Sequence, residues 1–174
     1  LTDNTNSATA DFTVSWTPEI DPPSIKVNNG VDNAQVKEDG TVDVAIEAKL
    51  SADAEVGEYL TVTVTGFDPA WGTVTAPVGT FNAAGTEWTV TLPAGTDLNT
   101  VFTFSPAAES DIDLTGLVAT VVATDPVEGL SASATDSFNV IVDAVADTPD
   151  LEAKDASGLE LATFALDIST AVTD

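Results

Sequence analysis

The residue types in this sequence that could do chemistry are almost all carboxylates. There are 29 Asp and Glu, four cations (Lys26, Lys37, Lys49 and Lys154) and no Arg, His or Cys, giving a formal net charge of −25. Without His or Cys there is no imidazole base, no thiol nucleophile and no nitrogen or sulfur ligand for zinc. An all-oxygen donor set suits hard divalent cations. Calcium, which takes about six to eight oxygens in flexible geometry, is expected over magnesium, which keeps its waters and demands a stricter shell. The same charge excludes nucleic-acid binding, which needs cations facing phosphate. It also opposes direct contact with anionic membrane surfaces.

Placement sharpens the expectation. The acids gather where strands should end rather than spreading along them. One group has Glu38 and Asp39 just before a long apolar-alternating run, Glu109, Asp111 and Asp113 before another, and Asp143 and Asp147 in a following linker. A second group has Glu19 and Asp21 near the start, with Asp53 in the loop Ser51–Glu55 and Asp125 as further contributors. Like charges brought together repel unless a cation draws them in. The EF-hand loop and the glycine-rich nonapeptide of calcium β-rolls are both absent. Paired carboxylates can hydrolyse glycosides, but acids at joints make poor clefts, and no enzyme is expected.

The elements that must position these acids are strands. Val42, Val44, Ile46 and Ala48 alternate with polar residues, as do Leu60, Val62 and Val64, then Trp88, Val90 and Leu92, then Phe102 and Phe104. A period of two marks half-buried strands. Leu117–Thr124 is apolar on both faces in places and reads as a central strand, and Phe138, Val140 and Val142 supply a last inward face. Asp39-Gly40, Ala84-Gly85, Ala94-Gly95 and Glu128-Gly129 read as turns between them. About seven strands at this spacing predict an all-β, antiparallel sandwich. Trp71 and Trp88 are expected in its core. The hydrophobic fraction of 43% is enough to fill that core.

The chain also repeats itself. At an offset of 126, Phe12 meets Phe138, Val14 meets Val140, Asp21 meets Asp147 and Pro23 meets Pro149, and Ala8-Thr9 meets Ala134-Thr135. Farther on, Val44-Ala-Ile-Glu47 resembles Phe164-Ala-Leu-Asp167, with a drift that implies a small deletion. A period of this length suits one sandwich domain. Residues 1–20 therefore read as the last strand of a preceding repeat, 21–147 as a complete repeat, and 148–174 as the opening of the next. Proline-bearing segments at 18–23 and 143–149 read as short, semi-rigid joints.

Three segments together, Glu38-Asp39-Gly-Thr41, Pro106–Asp113 and Val140–Pro149, resemble the tandem extender repeats of bacterial RTX (LapA-like) adhesins, and Lys154–Gly158 with Ala165–Ser169 fits the opening of another such repeat. The resemblance implies Ig-like or cadherin-like sandwiches joined end to end, with calcium at the joints. It implies a parent exported by type I secretion that projects a binding tip from the cell surface, often for biofilm formation. By this analogy Glu38, Glu109, Asp111, Asp113, Asp143 and Asp147 are joint ligands. The partners would be adjacent repeats of the same polypeptide, and the module itself a monomer. The first joint has Thr17 and Pro18 where the second has Asp143 and Ala144, so the two are expected to differ in ion number. The competing expectation is a calcium-dependent glycan-binding domain of such an adhesin, which would need exposed aromatics beside an open metal.

Overall fold

The computed structural model describes residues 9–160, 163 and 165–171. The matches at Ala8 and Phe164 lie outside the described residues. The chain is all-β, and among the described residues the helical structure is a single 3-10 turn at Asn28–Gly30. The strands are β1 (Ser24–Val27), β2 (Asn33–Lys37), β3 (Val42–Lys49), β4 (Tyr59–Thr65), β5 (Gly72–Thr75), β6 (Thr80–Phe81), β7 (Glu87–Thr91), β8 (Leu98–Pro106), β9 (Leu114–Asp125), β10 (Leu130–Asp143), β11 (Asp150–Ala153) and β12 (Ile168–Ala171).

Ten of these form two sheets. The first has the order β1-β3-β8-β5 and the second β2-β10-β9-β4-β7-β6. All pairings are antiparallel except that of β2 with β10. The alternation read from the sequence is the reason the sheets face each other. Val44, Ile46 and Ala48 of β3 and Phe102 and Phe104 of β8 point into the core from one sheet. Leu60, Val62 and Val64 of β4, with Phe138 and Val140 of β10, point in from the other. Trp88 and Trp71 are both buried, as expected. The Trp88 ring meets Phe102 edge-on at 4.8 Å between centroids, and its Nε1 donates to the Val78 carbonyl at 2.9 Å. The Thr100 hydroxyl is the one buried side-chain polar atom without a hydrogen-bond partner among the described residues.

The sequence reading counted about seven strands, and the two sheets hold ten. The extra ones are short. β5 and β6 span four and two residues, too few for a period to show. β1 lies at a sheet edge, where Asp136 of β10 accepts the Val27 amide at 2.8 Å. Residues 9–20 were expected to include a strand, but carry none here. Phe12, Val14 and Trp16 stand exposed. Their counterparts Phe138, Val140 and Val142 are buried because β2 and β9 flank β10. Among the described residues the 9–20 segment pairs with no such strands, so its backbone makes no ladder bonds, and only Ile20 packs against the core.

β11 and β12 pair outside both sheets and copy the register of β1 with β3. Ser24 pairs with Lys49 and Val27 with Ile46. Asp150, 126 positions after Ser24, pairs with Ala171, 122 positions after Lys49, and Ala153 pairs with Ile168. The structural register thus places Ile168 opposite the role of Ile46, two residues along from the match drawn on Val44–Glu47. The shift is even, so the apolar faces are preserved.

At the upper end β1, β4 and β8 begin and β3, β7 and β9 finish. At the lower end β2, β8 and β10 finish and β3 and β9 begin.

Candidate metal centre

The lower end gathers loops 38–41 and 107–113 and the exit of β10. Parallel pairing of β2 with β10 carries Lys37 alongside Asp143, and the next amide, Glu38, donates to the Asp143 carbonyl at 3.1 Å. The Glu38 side chain is buried, 7% exposed, and its Oε1 accepts the Val145 amide. Asp39 takes a left-handed backbone, φ 60°, before Gly40, whose amide closes the turn onto the Lys37 carbonyl at 3.0 Å. Asp39 Oδ1 accepts the Glu109 amide at 3.3 Å, joining the two loops. Glu109 is itself left-handed, φ 57°, a conformation unusual outside glycine and asparagine. Its carboxyl is held above the usual carboxylate range. The largest cause is a hydrogen bond with the Asp147 side chain, followed by the charges of Asp147 and Asp39, burial, and the charge of Glu38.

Four expected residues, Glu38, Asp39, Glu109 and Asp147, are therefore neighbours. Asp113 is close but already engaged, since its Oδ1 accepts the Val142 amide at 2.8 Å beside the irregularity in the β9–β10 ladder. Asp143 contributes its backbone carbonyl, while its side chain is exposed. Asp111 is exposed and bonded to none of the others.

The upper end gathers a second set. Asp21 is held above the usual range, chiefly by the charge of Asp53, with burial, a hydrogen bond to Asp53 and the charges of Glu19 and Glu58 adding to it. Asp53 is held below its usual value, first by the bond from the Ser51 hydroxyl. Glu19, Asp21 and Asp53 thus lie close enough for their charges to act on one another. Glu58 was missed. It is 3% exposed and accepts the Glu55 amide at 3.1 Å. Its place directly before the alternating run Tyr59–Thr65 is the same signal that picked out Glu38-Asp39. Asp125 is also buried, but its Oδ1 caps the amides of Val127 and Glu128 at 2.7 and 3.2 Å, a turn role.

No family model matches this sequence, and neither a curated protein nor a solved structure does.

The chemistry of these two sets fits a hard cation, since every donor is oxygen and most are carboxylate. Among the described residues, however, no three acids converge at ligand distances. The contacts are acid–acid pairs and amide bonds, so holding an ion would require side chains such as Glu109 and Asp147 to turn toward a common point. Lys37 is the register partner of Asp143 at the lower end, but it forms no ion pair with that set among the described residues. Among the described residues the ion pairs are Lys49–Glu47 at 3.8 Å and Lys154–Asp167 at 3.0 Å, neither of which includes an acid of these sets. Of the aromatics, Trp71 and Trp88 lie in the core, 4% and 1% exposed, while Phe12 and Trp16 stand exposed on the 9–20 segment, outside the 38–41, 51–58 and 107–113 loops.

A pH dependence follows. Asp21 and Glu109 are raised in the folded chain, so folding takes up protons at both. Their contribution to stability is complete below the unfolded carboxylate range and is lost as pH rises through the raised values. Asp53, held low, works in the opposite sense, and its contribution is lost as pH falls through its own folded value. In EDTA the melting temperature should therefore rise as pH falls through the raised values of Asp21 and Glu109. The double variant D21N/E109Q should flatten that rise, and a rise unchanged in the variant would contradict the assignment.

Proposed function

We propose that this chain is a calcium-rigidified structural extender module of a large secreted bacterial adhesin. On this reading residues 21–147 form one Ig-like or cadherin-like repeat, 1–20 close the repeat before it, and 148–174 open the repeat after it. The observation that carries the reading is the collection of acids at both ends of the sandwich, each onto a linker aspartate and none in a lysine ion pair among the described residues. The copy of the β1–β3 register in β11–β12 supports the tandem arrangement.

Glu38, Asp39, Glu109 and Asp147, with the Asp143 carbonyl, would hold calcium at the second joint, and Glu19, Asp21, Asp53 and Glu58 at the first. When bound, the ion supplies positive charge to which both the unit and its linker can attach. The chain's own residues do the rest. Glu38 fixes the linker's first turn through Val145, Asp39 fixes the 107–113 loop through Glu109, and the prolines at 22, 23 and 149 limit bending. The function is mechanical, setting reach and stiffness between a cell surface and a binding tip, and needs no catalytic group. Extracellular modules bind calcium at about 10⁻⁴–10⁻³ M. Calcium in that range should raise the melting temperature and EDTA should reverse it, while magnesium should do much less. A melting temperature indifferent to calcium would end this reading.

A further inference from the structure

We infer that Asn29, in the exposed turn between β1 and β2, is a self-modifying site. The Gly30 backbone nitrogen displaces its side-chain amide, so that the sandwich ages at this one place. The inference stands apart from the calcium and tandem-repeat readings.

Asn29-Gly30 is the single Asn-Gly step of the sequence. Glycine matters there because it puts no Cβ in the way of the attacking nitrogen. The turn takes three left-handed residues in succession, Asn28 (φ 45°), Asn29 (φ 56°) and Gly30 (φ 82°), and the first two carry side chains that make this conformation costly. The Val31 amide closes it onto the Asn28 carbonyl at 3.1 Å. Little packs against it. Asn29 and Gly30 are exposed, and a Cβ at Gly30 would meet only Cε of Lys26, at 3.3 Å. The turn can therefore open, letting ψ of Asn29 leave its present 23° so that the Gly30 nitrogen reaches Cγ.

The other described asparagines are held. Asn28 Nδ2 donates to the Val31 carbonyl at 3.1 Å, and Asn33 Oδ1 accepts from Asn139 Nδ2 at 2.9 Å. Asn139 Oδ1 accepts the Gly116 amide at 2.9 Å, and Asn82 bonds Thr86 through both its side-chain oxygen and nitrogen, at 3.0 and 3.2 Å. Asn99 lies within β8, in register with Glu47, and precedes Thr100 rather than glycine. The similar Asp39-Gly40 step is restrained, because the Gly40 amide is spent on the Lys37 carbonyl at 3.0 Å.

The chemistry is intramolecular and gains from that proximity. The Gly30 amide loses its proton to solvent, and its nitrogen bonds to Asn29 Cγ. The Cγ–Nδ2 bond breaks and ammonia leaves, giving a cyclic imide. Water then opens either imide carbonyl, yielding aspartate, or isoaspartate with the main chain running through the side-chain carbon. In sum, water is consumed, ammonia is released and nothing is oxidised or reduced. Either product adds negative charge to a chain already at −25. Isoaspartate also lengthens the backbone where it crosses from β1 in one sheet to β2 in the other. Two residues earlier, the Val27 amide anchors edge strand β1 to Asp136 at 2.8 Å, so an inserted atom disturbs a junction that ties the two sheets.

The test incubates the 174-residue chain at mildly alkaline pH, where the amide nitrogen deprotonates more readily, and then cleaves it at lysine. The fragment 27–37 holds Asn28, Asn29 and Asn33. Mass spectrometry should find Asn29 converted several-fold ahead of every other asparagine, faster as pH rises, with isoaspartate the larger product. The melting temperature should fall with the extent of conversion. Asn29→Gly, which keeps a left-handed turn and removes the amide, should hold its melting temperature through the same incubation. Conversion at Asn29 no faster than at Asn99 would overturn the inference. So would conversion in the free 27–37 peptide but not in the folded chain, since the turn would then protect the step. Aspartate formed without isoaspartate would replace ring closure by direct hydrolysis and overturn it as well.

Discussion

Trp88→Ala should destabilise the sandwich by about 3–5 kcal/mol, as large-to-small changes at buried aromatic positions do. The indole is 1% exposed, sits on β7 between Val64 of β4 and Phe81 of β6, and meets the Phe102 ring from the opposite sheet. It therefore bridges the two layers rather than filling one. Removing it also frees the Val78 carbonyl that its Nε1 binds. The 76–79 connection between β5 and β6 is built against the same ring. Gly79 has φ +76°, and a Cβ there would fall 2.5 Å from indole carbons. The loss should lower the melting temperature by roughly 6–20 °C at about 2–4 °C per kcal/mol for a chain of this size. A stability typical of such domains is about 5–15 kcal/mol, so the variant should lie near the unfolding threshold. Urea denaturation followed by far-UV circular dichroism measures it, and a loss under about 1 kcal/mol would mean that the two sheets do not meet at this ring.

The second large effect concerns Glu38. Its carboxylate is buried at the lower end and accepts the Val145 amide, while its own amide holds the Asp143 carbonyl. Both bonds tie the exit of β10 to the start of the linker. Glu38→Ala removes the acceptor of the Val145 amide, and because Val145 is exposed water can take its place, so the loss of this bond should cost about 0.5–1.5 kcal/mol. In EDTA, relief of repulsion with the neighbouring acids offsets part of that cost. On the proposed calcium reading a ligand is lost as well, and affinity for calcium should fall about tenfold or more, equivalent to 1.4 kcal/mol. The variant should therefore lose much more stability in calcium than in EDTA. Glu87, which faces outward opposite Thr65, is the control, and its substitution by Gln should change stability by no more than about 0.5 kcal/mol in either condition. Equal losses for Glu38→Ala with and without calcium would leave Glu38 a structural residue only.

Much of this was readable from alternation and placement. The inward rows of β3, β4, β8 and β10 follow directly from Val44-x-Ile46, Leu60-x-Val62-x-Val64, Phe102-x-Phe104 and Phe138-x-Val140, because a period of two leaves one face to bury. The lower acid group was foreseeable because Glu38-Asp39 and Glu109–Asp113 each precede a long strand, and two loops at the same end of a sandwich meet. What the sequence did not reveal depended on partners distant along the chain. That β2 runs parallel to β10, carrying Glu38 to the linker, is a matter of long-range pairing. Asp113 and Asp125 look like ligands in sequence, but their oxygens are taken by amides that only the fold brings near. Asp111 has the same spacing as its neighbours but is exposed and bonded to none of the group, because the path of one short loop decides which carboxylates are engaged. The 9–20 segment has a strand's pattern without a strand's partners.

The central claim is that calcium turns repelling joints into stiff ones, and small-angle X-ray scattering of the 174-residue chain with calcium and with EDTA tests it most directly. With calcium at about 10⁻³ M, the distance distribution should extend to a longer, better-defined maximum dimension as the terminal segments align with the sandwich. EDTA should shorten and broaden it. Superimposable profiles in the two conditions would contradict the account.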